Sequence, residues 1–297
     1  MIDTSKDTAV SAPEPAPKPV PEAVLEGAAE AMVKTMPALE GCGISVGYGS
    51  VTIIPELDVD IPAGKVTSII GPNGCGKSTL LKALSRMLPV TSGSVLLDGK
   101  AIASMPTAAV AQKMAMLPQS PQAPGGLTVR ELVSYGRYPH QKGFGRLKDE
   151  DRRIIDWALA ITGMESFAER DLDALSGGQR QRAWIAMALA QDTPIILLDE
   201  PTTYLDLAHQ LEVLELLQRL NREQGKTIAL VIHELNLAAR FSDWMIAMKA
   251  GRVIANGPAE EVMTPEVLRE AFNIEALVGA DPWTGRPSLE SYRMVRE

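Results

Sequence analysis

Residues 71–79 read GPNGCGKST, and further along the chain residues 175–179 read LSGGQ. The first segment fits the pattern G-x-x-x-x-G-K-[ST], a glycine-rich loop whose backbone N–H groups surround phosphates at the start of a helix. Residues 65–70 before it have the apolar character of a strand, and residues 78–88 after it that of a helix. This context predicts a phosphate-binding loop rather than a glycine-rich turn that happens to contain lysine.

The loop contains each kind of group that a nucleotide phosphate and its metal require. Its glycines allow a tight turn, and Lys77 offers a point charge to the β- and γ-phosphates. Ser78 offers a hydroxyl to Mg²⁺, and Thr79 can donate to the phosphates nearby. The residues predicted to bind the nucleotide here are Gly71, Pro72, Asn73, Gly74, Cys75, Gly76, Lys77, Ser78 and Thr79.

An apolar segment further along the chain ends in two acids. Residues 195–198 are Ile-Ile-Leu-Leu, and Asp199 and Glu200 follow. Ligands bind at the carboxyl ends of strands in open α/β sheets, so both carboxylates are expected near the phosphate loop. We predict that Asp199 holds Mg²⁺ through water and that Glu200 orients and deprotonates an attacking water. The alternative, a solvated acidic loop, agrees less well with the register of this strand.

Composition narrows the class of protein. The chain has 297 residues, 45% of them hydrophobic, with mean hydropathy near zero, as in a soluble globular protein of one large domain or two small ones. A net charge of −8 argues against a nucleic-acid partner. No apolar run reaches the roughly 18 residues that cross a bilayer, and no signal-peptide pattern is present at the N-terminus. Two cysteines, Cys42 and Cys75, fit a reducing, cytoplasmic setting.

The chain divides into a tail and a globular domain. Residues 1–38 are rich in alternating proline and alanine, which predicts an extended, solvated tail; a short helix over 22–36 is the alternative. Residues 39–297 are expected to form one domain. Within it the strand signal disappears over about 120–175, which predicts a helical insert.

Elsewhere in the domain, strand and helix patterns alternate. The predicted strands cover 57–61, 65–70, 95–97, 194–198, 227–232 and 244–248, and the predicted helices cover 78–88, 148–162, 176–190 and 207–222, with two more starting at Thr128 and at Thr264-Pro265. This alternation predicts an α/β fold with a largely parallel sheet that is covered on both faces.

Over roughly residues 40–290 the chain resembles the ATPase subunits of ATP-binding cassette (ABC) transporters. The resemblance rests on the phosphate loop, the LSGGQ segment and Asp199-Glu200 in this order. It implies a P-loop NTPase domain with a mostly parallel sheet, an antiparallel β subdomain and a helical subdomain, with ATP and Mg²⁺ as cofactors. It also implies that the LSGGQ segment contacts ATP held by a second ATPase subunit, although a serine in this position is also typical of an ordinary helix cap. The residues concerned are Ser176, Gly177, Gly178 and Gln179.

Four further residues match functional positions of this family. Gln119 resembles the glutamine that binds the metal and links the metal and water site to the helical insert, although Gln122 is close enough to compete for that assignment. His233 matches a histidine that senses the γ-phosphate; a structural histidine at a strand end is the alternative. Asp206 resembles a residue that bridges the two subunits, and it also suits an N-cap. Tyr48 is expected to stack on adenine, or else to be an exposed strand tyrosine.

Within the family, the closest resemblance is to ATPase subunits of importers for ferric siderophores, haem and cobalamin, with the iron-siderophore branch first. The segments that carry it are 127–133, 136–140, 202–210, 233–240 and 281–287. It implies an ATPase that powers import of a ferric siderophore, with haem, cobalamin or an exported substrate as alternatives. Glu234 and Trp283 depart from the usual family residues.

The resemblance also implies partners and a location. It implies a second ATPase subunit, which a single full set of motifs suggests is identical, and integral-membrane permease subunits. An extracytoplasmic substrate-binding protein is implied indirectly, and the expected location is the cytoplasmic face of the cell membrane. Superfamily members that act on chromosomes are disfavoured, since no heptad pattern separates the phosphate loop from LSGGQ.

Overall fold

The computed structural model describes residues 37–141 and 146–296. The predicted tail and the alternative helix over 22–36 lie outside these ranges, except that residues 37 and 38 already belong to the first strand. Among the described residues, no helix has both the length and the apolarity to cross a membrane.

The described segments contain twelve strands and nine α-helices. The strands are β1 Pro37–Tyr48, β2 Val51–Pro62, β3 Val66–Ile70, β4 Ser92–Leu97, β5 Lys100–Ala101, β6 Met114–Leu117, β7 Ile195–Asp199, β8 Thr227–Val231, β9 Trp244–Lys249, β10 Arg252–Gly257, β11 Ile274–Ala280 and β12 Pro287–Met294. The helices are α1 Lys77–Leu84, α2 Thr107–Ala111, α3 Val129–Ser134, α4 Asp149–Ile161, α5 Gly177–Ala190, α6 Leu207–Gln224, α7 Leu235–Phe241, α8 Ala259–Val262 and α9 Pro265–Phe272.

A six-stranded sheet forms the centre of the domain, in the order β10-β9-β3-β8-β7-β6. Its strands run parallel, except that β10 pairs antiparallel with β9. All residues of β3, β7 and β8 are buried, as expected for parallel strands that are covered on both faces. The predicted α/β fold with a mostly parallel sheet is therefore confirmed.

The two faces of this sheet are covered by different structures. Ile196 and Leu198 of β7 belong to a core shared with helices α3 to α7. Ile195 and Leu197 of the same strand point the other way, into a core with α1 and the antiparallel sheet β2-β1-β4-β5. Successive side chains of a strand alternate between faces, so one strand contributes to both cores.

Two features of the second layer differ from the sequence prediction. Strand β1 was not predicted because Gly41, Gly43 and Gly47 interrupt its alternation, and its pairing with β2 shifts register there. The helix predicted over 78–88 ends at Leu84, because Arg86 adopts a left-handed backbone (φ 61°).

Arg137, a residue of the helical insert that is held in a buried ion pair, ties the insert to α5. Arg137 Nε lies 2.9 Å from Asp151 Oδ1 of α4, and both side chains are almost fully buried. Arg137 also donates to the carbonyl of Ala190, the last residue of α5, at 2.9 Å. A buried charge is stable only when it is paired and hydrogen-bonded, so Asp151 and the Ala190 carbonyl together hold Arg137 in place. The insert is thereby fixed against the C-terminal end of α5.

Candidate nucleotide-binding and hydrolysis site

Four parallel strands deliver the predicted chemical groups to one edge of the central sheet. β3 leads into the phosphate loop, β6 into the loop of Gln119, β7 into Glu200 and β8 into His233. Their carboxyl ends border a pocket of about 420 Å³. The pocket is lined by Ile53, Asn73, Gly74, Gly76, Lys77, Ser78, Thr79, Gln119, Glu200 and His233.

The backbone of the phosphate loop requires glycine. Gly71, Gly74 and Gly76 all have positive φ. A Cβ atom on Gly71 would lie 2.3 Å from the carbonyl oxygen of Met248, so no other residue fits there. Helix α1 begins immediately afterwards at Lys77, and the N–H groups of a helix's first turn have no partner within the helix. The loop therefore presents donors to an anion.

Lys77 is folded back onto this loop. Its ammonium group donates to the carbonyls of Gly71 at 2.8 Å and Pro72 at 2.9 Å, and the residue is only 5% exposed. These contacts hold a buried positive charge next to the free N–H groups of α1, where a phosphate would be stabilised by both.

Ser78 and Asp199 form the part of the pocket suited to a cation. Ser78 Oγ donates to Asp199 Oδ1 at 2.8 Å, and Asp199 is fully buried. The other carboxylate oxygen, Oδ2, is buried and has no hydrogen-bond partner among the described residues. Burial raises the pKa of Asp199, and the hydrogen bond from Ser78 offsets this only in part. A hydroxyl beside an unsatisfied carboxylate oxygen fits Mg²⁺, which takes few protein ligands and completes its shell with water and phosphate.

Glu200 is held by three side chains. His233 Nε2 lies 2.7 Å from Glu200 Oε1, and Thr203 Oγ1 donates to Oε2 at 3.1 Å. Burial alone would raise the pKa of Glu200, but hydrogen bonds from His233 and Gln119 outweigh it and the pKa is lowered. The carboxylate is therefore ionised at neutral pH, the form that accepts a proton. Glu200 also has a left-handed backbone (φ 54°), a strained state that is common at functional positions.

The structure distinguishes the two candidate glutamines by position. Gln119 lines the phosphate pocket and also contacts Asp199 through its backbone. Gln122 lines a separate pocket beside Trp184.

Tyr48 lies outside this pocket. It is half-exposed and pairs with Val51 at the end of the β1–β2 hairpin. Ile53 of β2 lines the pocket instead. Sequence reasoning missed Ile53, because one isoleucine within a strand carries no functional signal. It also missed Thr203, whose only signal is a hydroxyl three residues after the acid.

The LSGGQ residues lie away from the phosphate pocket of their own chain. Ser176 caps α5: its Oγ accepts from the N–H of Gln179 at 3.3 Å, and Gln179 Oε1 accepts from the N–H of Ser176 at 3.0 Å. Ser176 and Gly177 are exposed, whereas Gly178 packs so closely on Leu205 that a Cβ would lie 3.2 Å from its side chain. The predicted helix cap is therefore present, and the N-terminus of α5 that it closes is exposed.

Asp206 also acts as a cap. Its Oδ1 accepts from the N–H of His209 at 2.9 Å and lies 2.8 Å from the imidazole Nδ1 of the same residue. The predicted N-cap of α6 is therefore present.

Comparison with known proteins assigns the family. Residues 54–203 match the model of the family described as "ABC transporter". The chain is 61% identical over 253 residues to the iron(3+)-hydroxamate import ATP-binding protein FhuC of Bacillus subtilis (strain 168), covering 85% of this chain and 94% of that protein. It is 46% identical to the ferric enterobactin transport ATP-binding protein FepC of Escherichia coli (strain K12), covering 86% of this chain and 94% of that one.

Solved structures of ABC proteins have a fold similar to that of this chain. An inward-facing putative metal-chelate type ABC transporter matches with a TM-score of 0.72 and 27% identity, covering 85% of this chain and 96% of that one. The dimeric ATP-binding cassette MJ0796, bound to ADP and Pi, matches with a TM-score of 0.66 and 31% identity, covering 74% of this chain and 98% of that one. With the phosphate loop, the paired acids and the exposed LSGGQ segment on one such fold, the chain belongs to the ABC transporter family.

Proposed function

We propose that this chain is the ATP-hydrolysing subunit of an importer for ferric siderophores. The observation that carries the hydrolytic part is the 2.7 Å contact between Glu200 and His233 at the edge of the phosphate pocket. An ionised carboxylate with a lowered pKa at this edge of the pocket supports a general base that acts next to the terminal phosphate. A pocket that only binds nucleotide has no need of such a base.

Each group in the pocket has a role in this proposal. Lys77 and the N–H groups of α1 bind the β- and γ-phosphates, and Ser78 and Asp199 hold Mg²⁺, which neutralises phosphate charge when bound. Glu200 orients a water and accepts its proton. His233 holds the Glu200 carboxylate and donates toward the γ-phosphate. Gln119 connects the pocket to the helical insert.

The placement of LSGGQ supports a dimer as the active form. Ser176 to Gln179 do not line the pocket of their own chain, and their helix N-terminus is exposed. We infer that they bind the γ-phosphate held by a second, identical subunit, with Asp206 near the subunit boundary and Tyr48 against adenine. Hydrolysis removes that contact and lets the dimer reopen.

The transported substrate is inferred from relatives. FhuC and FepC are named for iron(3+)-hydroxamate and ferric enterobactin, and further relatives at 45–53% identity are named for petrobactin import. The proposed partners are membrane permease subunits and, on the far side of the membrane, a substrate-binding protein. The chain itself would lie on the cytoplasmic face. A cobalamin importer is the second candidate, since a relative from Halobacterium salinarum with that name is 40% identical, although the chain covers only 62% of that protein.

Uptake of labelled substrate tests the proposal. In cells whose only copy of this subunit is Glu200→Gln, uptake of a ferric hydroxamate siderophore should be lost, while uptake of cobalamin and haem continues. Glu223→Gln, an exposed carboxylate on α6, is the matched control and should leave uptake at the wild-type level. Loss of cobalamin uptake alone would keep the ATPase role and change the substrate. Normal uptake of all three would contradict the importer assignment.

The buried carboxylate of Asp199 should destabilise the nucleotide-free protein. Because burial raises its pKa, ionising this carboxyl is harder in the folded chain than in the unfolded one. The penalty is fully present above the folded pKa and disappears below the unfolded value of about 3.9. Asp199→Asn removes the charge, so we expect it to raise the melting temperature at pH 7 by a few degrees. The gain should shrink as the pH is lowered.

The same substitution should weaken the additional stabilisation that Mg²⁺ gives to the ATP-bound protein. Wild-type protein gains stability from a ligand that binds only the folded state. Asp199→Asn should show a smaller shift with Mg²⁺–ATP and the same shift with ATP in EDTA. Thermal denaturation without ligand, with Mg²⁺–ATP and with ATP in EDTA measures the gain in stability and the loss of the Mg²⁺ effect. The exposed Asp60→Asn is the control. A full Mg²⁺-dependent shift in Asp199→Asn would exclude this carboxylate as a metal ligand.

A further inference from the structure

The C-terminal hairpin of β11 and β12 holds the helix that follows His233. This helix, α7, runs from Leu235 to Phe241, so its first residue is two positions after the histidine. The turn of the hairpin, residues 281–287, is one of the segments that resemble siderophore-type ATPases, yet it contributes no residue to the phosphate pocket. The hairpin instead contacts the two ends of α7, through Arg286 of the turn and Leu289 of β12.

The first contact lies at the beginning of α7. Asn236 Nδ2 donates to the carbonyl of Leu289 in β12 at 3.1 Å, and Asn236 Oδ1 accepts from the N–H of Leu289 at 2.7 Å. The amide thus makes both backbone hydrogen bonds of one strand residue. A two-point contact restricts rotation as well as distance, so it fixes the first turn of α7 against the hairpin.

The second contact lies at the end of α7. Arg286 donates to the carbonyls of Ala239 (3.2 Å) and Ser242, and its guanidinium lies 3.8 Å from Asp243 Oδ1. The last carbonyls of a helix have no partner within the helix, and a cation there is stabilised by the helix dipole. Arg286 therefore completes the C-terminal end of α7.

The turn itself is built to hold Arg286 in place. Asp281 Oδ1 accepts from the backbone N–H groups of Trp283 (3.0 Å) and Thr284 (2.8 Å) and from the Thr284 hydroxyl (2.9 Å). The N–H of Asp281 donates to the carbonyl of Arg286 at 2.7 Å. These bonds close the turn, so the arginine approaches α7 from a defined backbone.

The segment after α7 is anchored to the strand that feeds the phosphate loop. Ser242 Oγ lies 2.5 Å from Ser68 Oγ of β3, and Asp243 Oδ2 accepts from the N–H of Val66 at 3.0 Å. α7 is therefore held by β3 behind and by the hairpin at both ends. Within residues 37–141 and 146–296, the His233 side chain, 40% exposed, has no such anchor of its own apart from Glu200.

We propose that Asn236 and Arg286 are positioning residues, through which the C-terminal hairpin holds the His233 imidazole against Glu200. The inference rests on the proposed hydrolytic role of His233. The hairpin contributes no residue to the phosphate pocket; it fixes the helix whose N-terminal extension carries the histidine. Small displacements of such a group slow the chemical step without weakening substrate binding.

Kinetics of full-length variants test this proposal. Asn236→Ala and Arg286→Ala should each lower kcat for ATP hydrolysis by about 10-fold to 100-fold, with unchanged ATP affinity in equilibrium binding. Arg286→Lys should recover part of the loss, because lysine can still donate to the helix carbonyls. Arg293→Ala is the matched control: it removes an exposed arginine of the same hairpin, whose partner Glu275 lies on the neighbouring strand, and should behave as wild type.

Histidine NMR supplies a readout that does not depend on turnover. The chain has three histidines, so ring signals can be assigned by replacing His140, His209 and His233 one at a time. In Asn236→Ala and Arg286→Ala the His233 signal should shift or broaden, while the other two stay in place. In Arg293→Ala all three should match wild type.

The outcomes separate the inference from the proposed function. Wild-type kcat and an unmoved His233 signal in both hairpin variants would overturn the inference. So would an equal loss of kcat in Arg293→Ala, since that is the behaviour of general destabilisation. If His233→Ala itself hydrolyses ATP normally, the proposed role of His233 fails, and the NMR signal still decides whether the hairpin positions the residue.

Discussion

Glu200→Gln should lower ATP turnover by roughly 100-fold to 10,000-fold, the range typical of losing a general base. Glutamine keeps the shape of the side chain and can still contact His233 and Thr203, but it cannot accept a proton. ATP binding should stay intact, because Glu200 lies beside the phosphate loop and contributes no donor to it. With hydrolysis blocked, Mg²⁺–ATP should hold the two subunits together as a stable dimer. Steady-state hydrolysis and size-exclusion chromatography with ATP measure the two effects.

A second substitution serves as the control for that dimer. Adding Ser176→Arg to Glu200→Gln places a bulky cation at the exposed N-terminus of α5, where the γ-phosphate of the other subunit is proposed to bind. The double variant should bind ATP and remain monomeric. A dimer that persists in the double variant would refute the cross-subunit contact. Turnover by Glu200→Gln near the wild-type rate would refute the assignment of the base.

Lys77→Ala should weaken ATP binding itself, by about 10-fold to 100-fold, the equivalent of one or two charge-assisted hydrogen bonds. The ammonium group already sits within the loop, bonded to Gly71 and Pro72, so its charge reaches the phosphates without any large movement. Its removal leaves those two carbonyls short of a donor, and the nucleotide-free protein should also melt at a lower temperature. Equilibrium binding of a fluorescent ATP analogue and thermal denaturation measure these effects.

Removal of a lysine outside the pocket is the control for the loss of one positive charge. Lys100→Ala removes an exposed lysine of β5 and should leave ATP affinity unchanged. Lys77→Arg keeps the charge, but the larger planar group does not fit the same two carbonyls, so it should bind ATP less well than wild type. Unchanged ATP affinity in Lys77→Ala would count against the proposed role of the loop.

The central fold, the phosphate loop and the position of Glu200 could be predicted because their signals are local, whereas His233 and Gln119 were assigned from the family resemblance. A phosphate loop follows a strand and precedes a helix, and Glu200 follows an apolar strand whose end is defined by its sequence. The parallel strands then bring these loops to one edge, as general rules of α/β sheets require. Nothing in this inference needed long-range information beyond the direction of the strands.

The residues that were missed depend on long-range packing. Ile53 reaches the pocket only because β2 of the antiparallel sheet lies beside the phosphate loop, and β1 was hidden by its glycines. Thr203 contacts Glu200 because Glu200 adopts a left-handed backbone, which a sequence pattern does not reveal. The hairpin of β11 and β12 was missed because few of its residues are buried, so they lack the alternation that marks a half-buried strand.

Arg137, which Asp151 holds within the helical insert, connects the movement of the insert to α5. The insert contacts this helix at Ala190, its last residue, while Ser176 caps the opposite end. Fourteen helical residues span about 21 Å at 1.5 Å per residue. A rotation of the insert by about 10° would therefore swing Ser176 through nearly 4 Å, more than the length of a hydrogen bond. If a membrane partner tilts the insert by this amount, we expect Ser176 at the far end of α5 to move into or out of hydrogen-bonding distance of a bound phosphate.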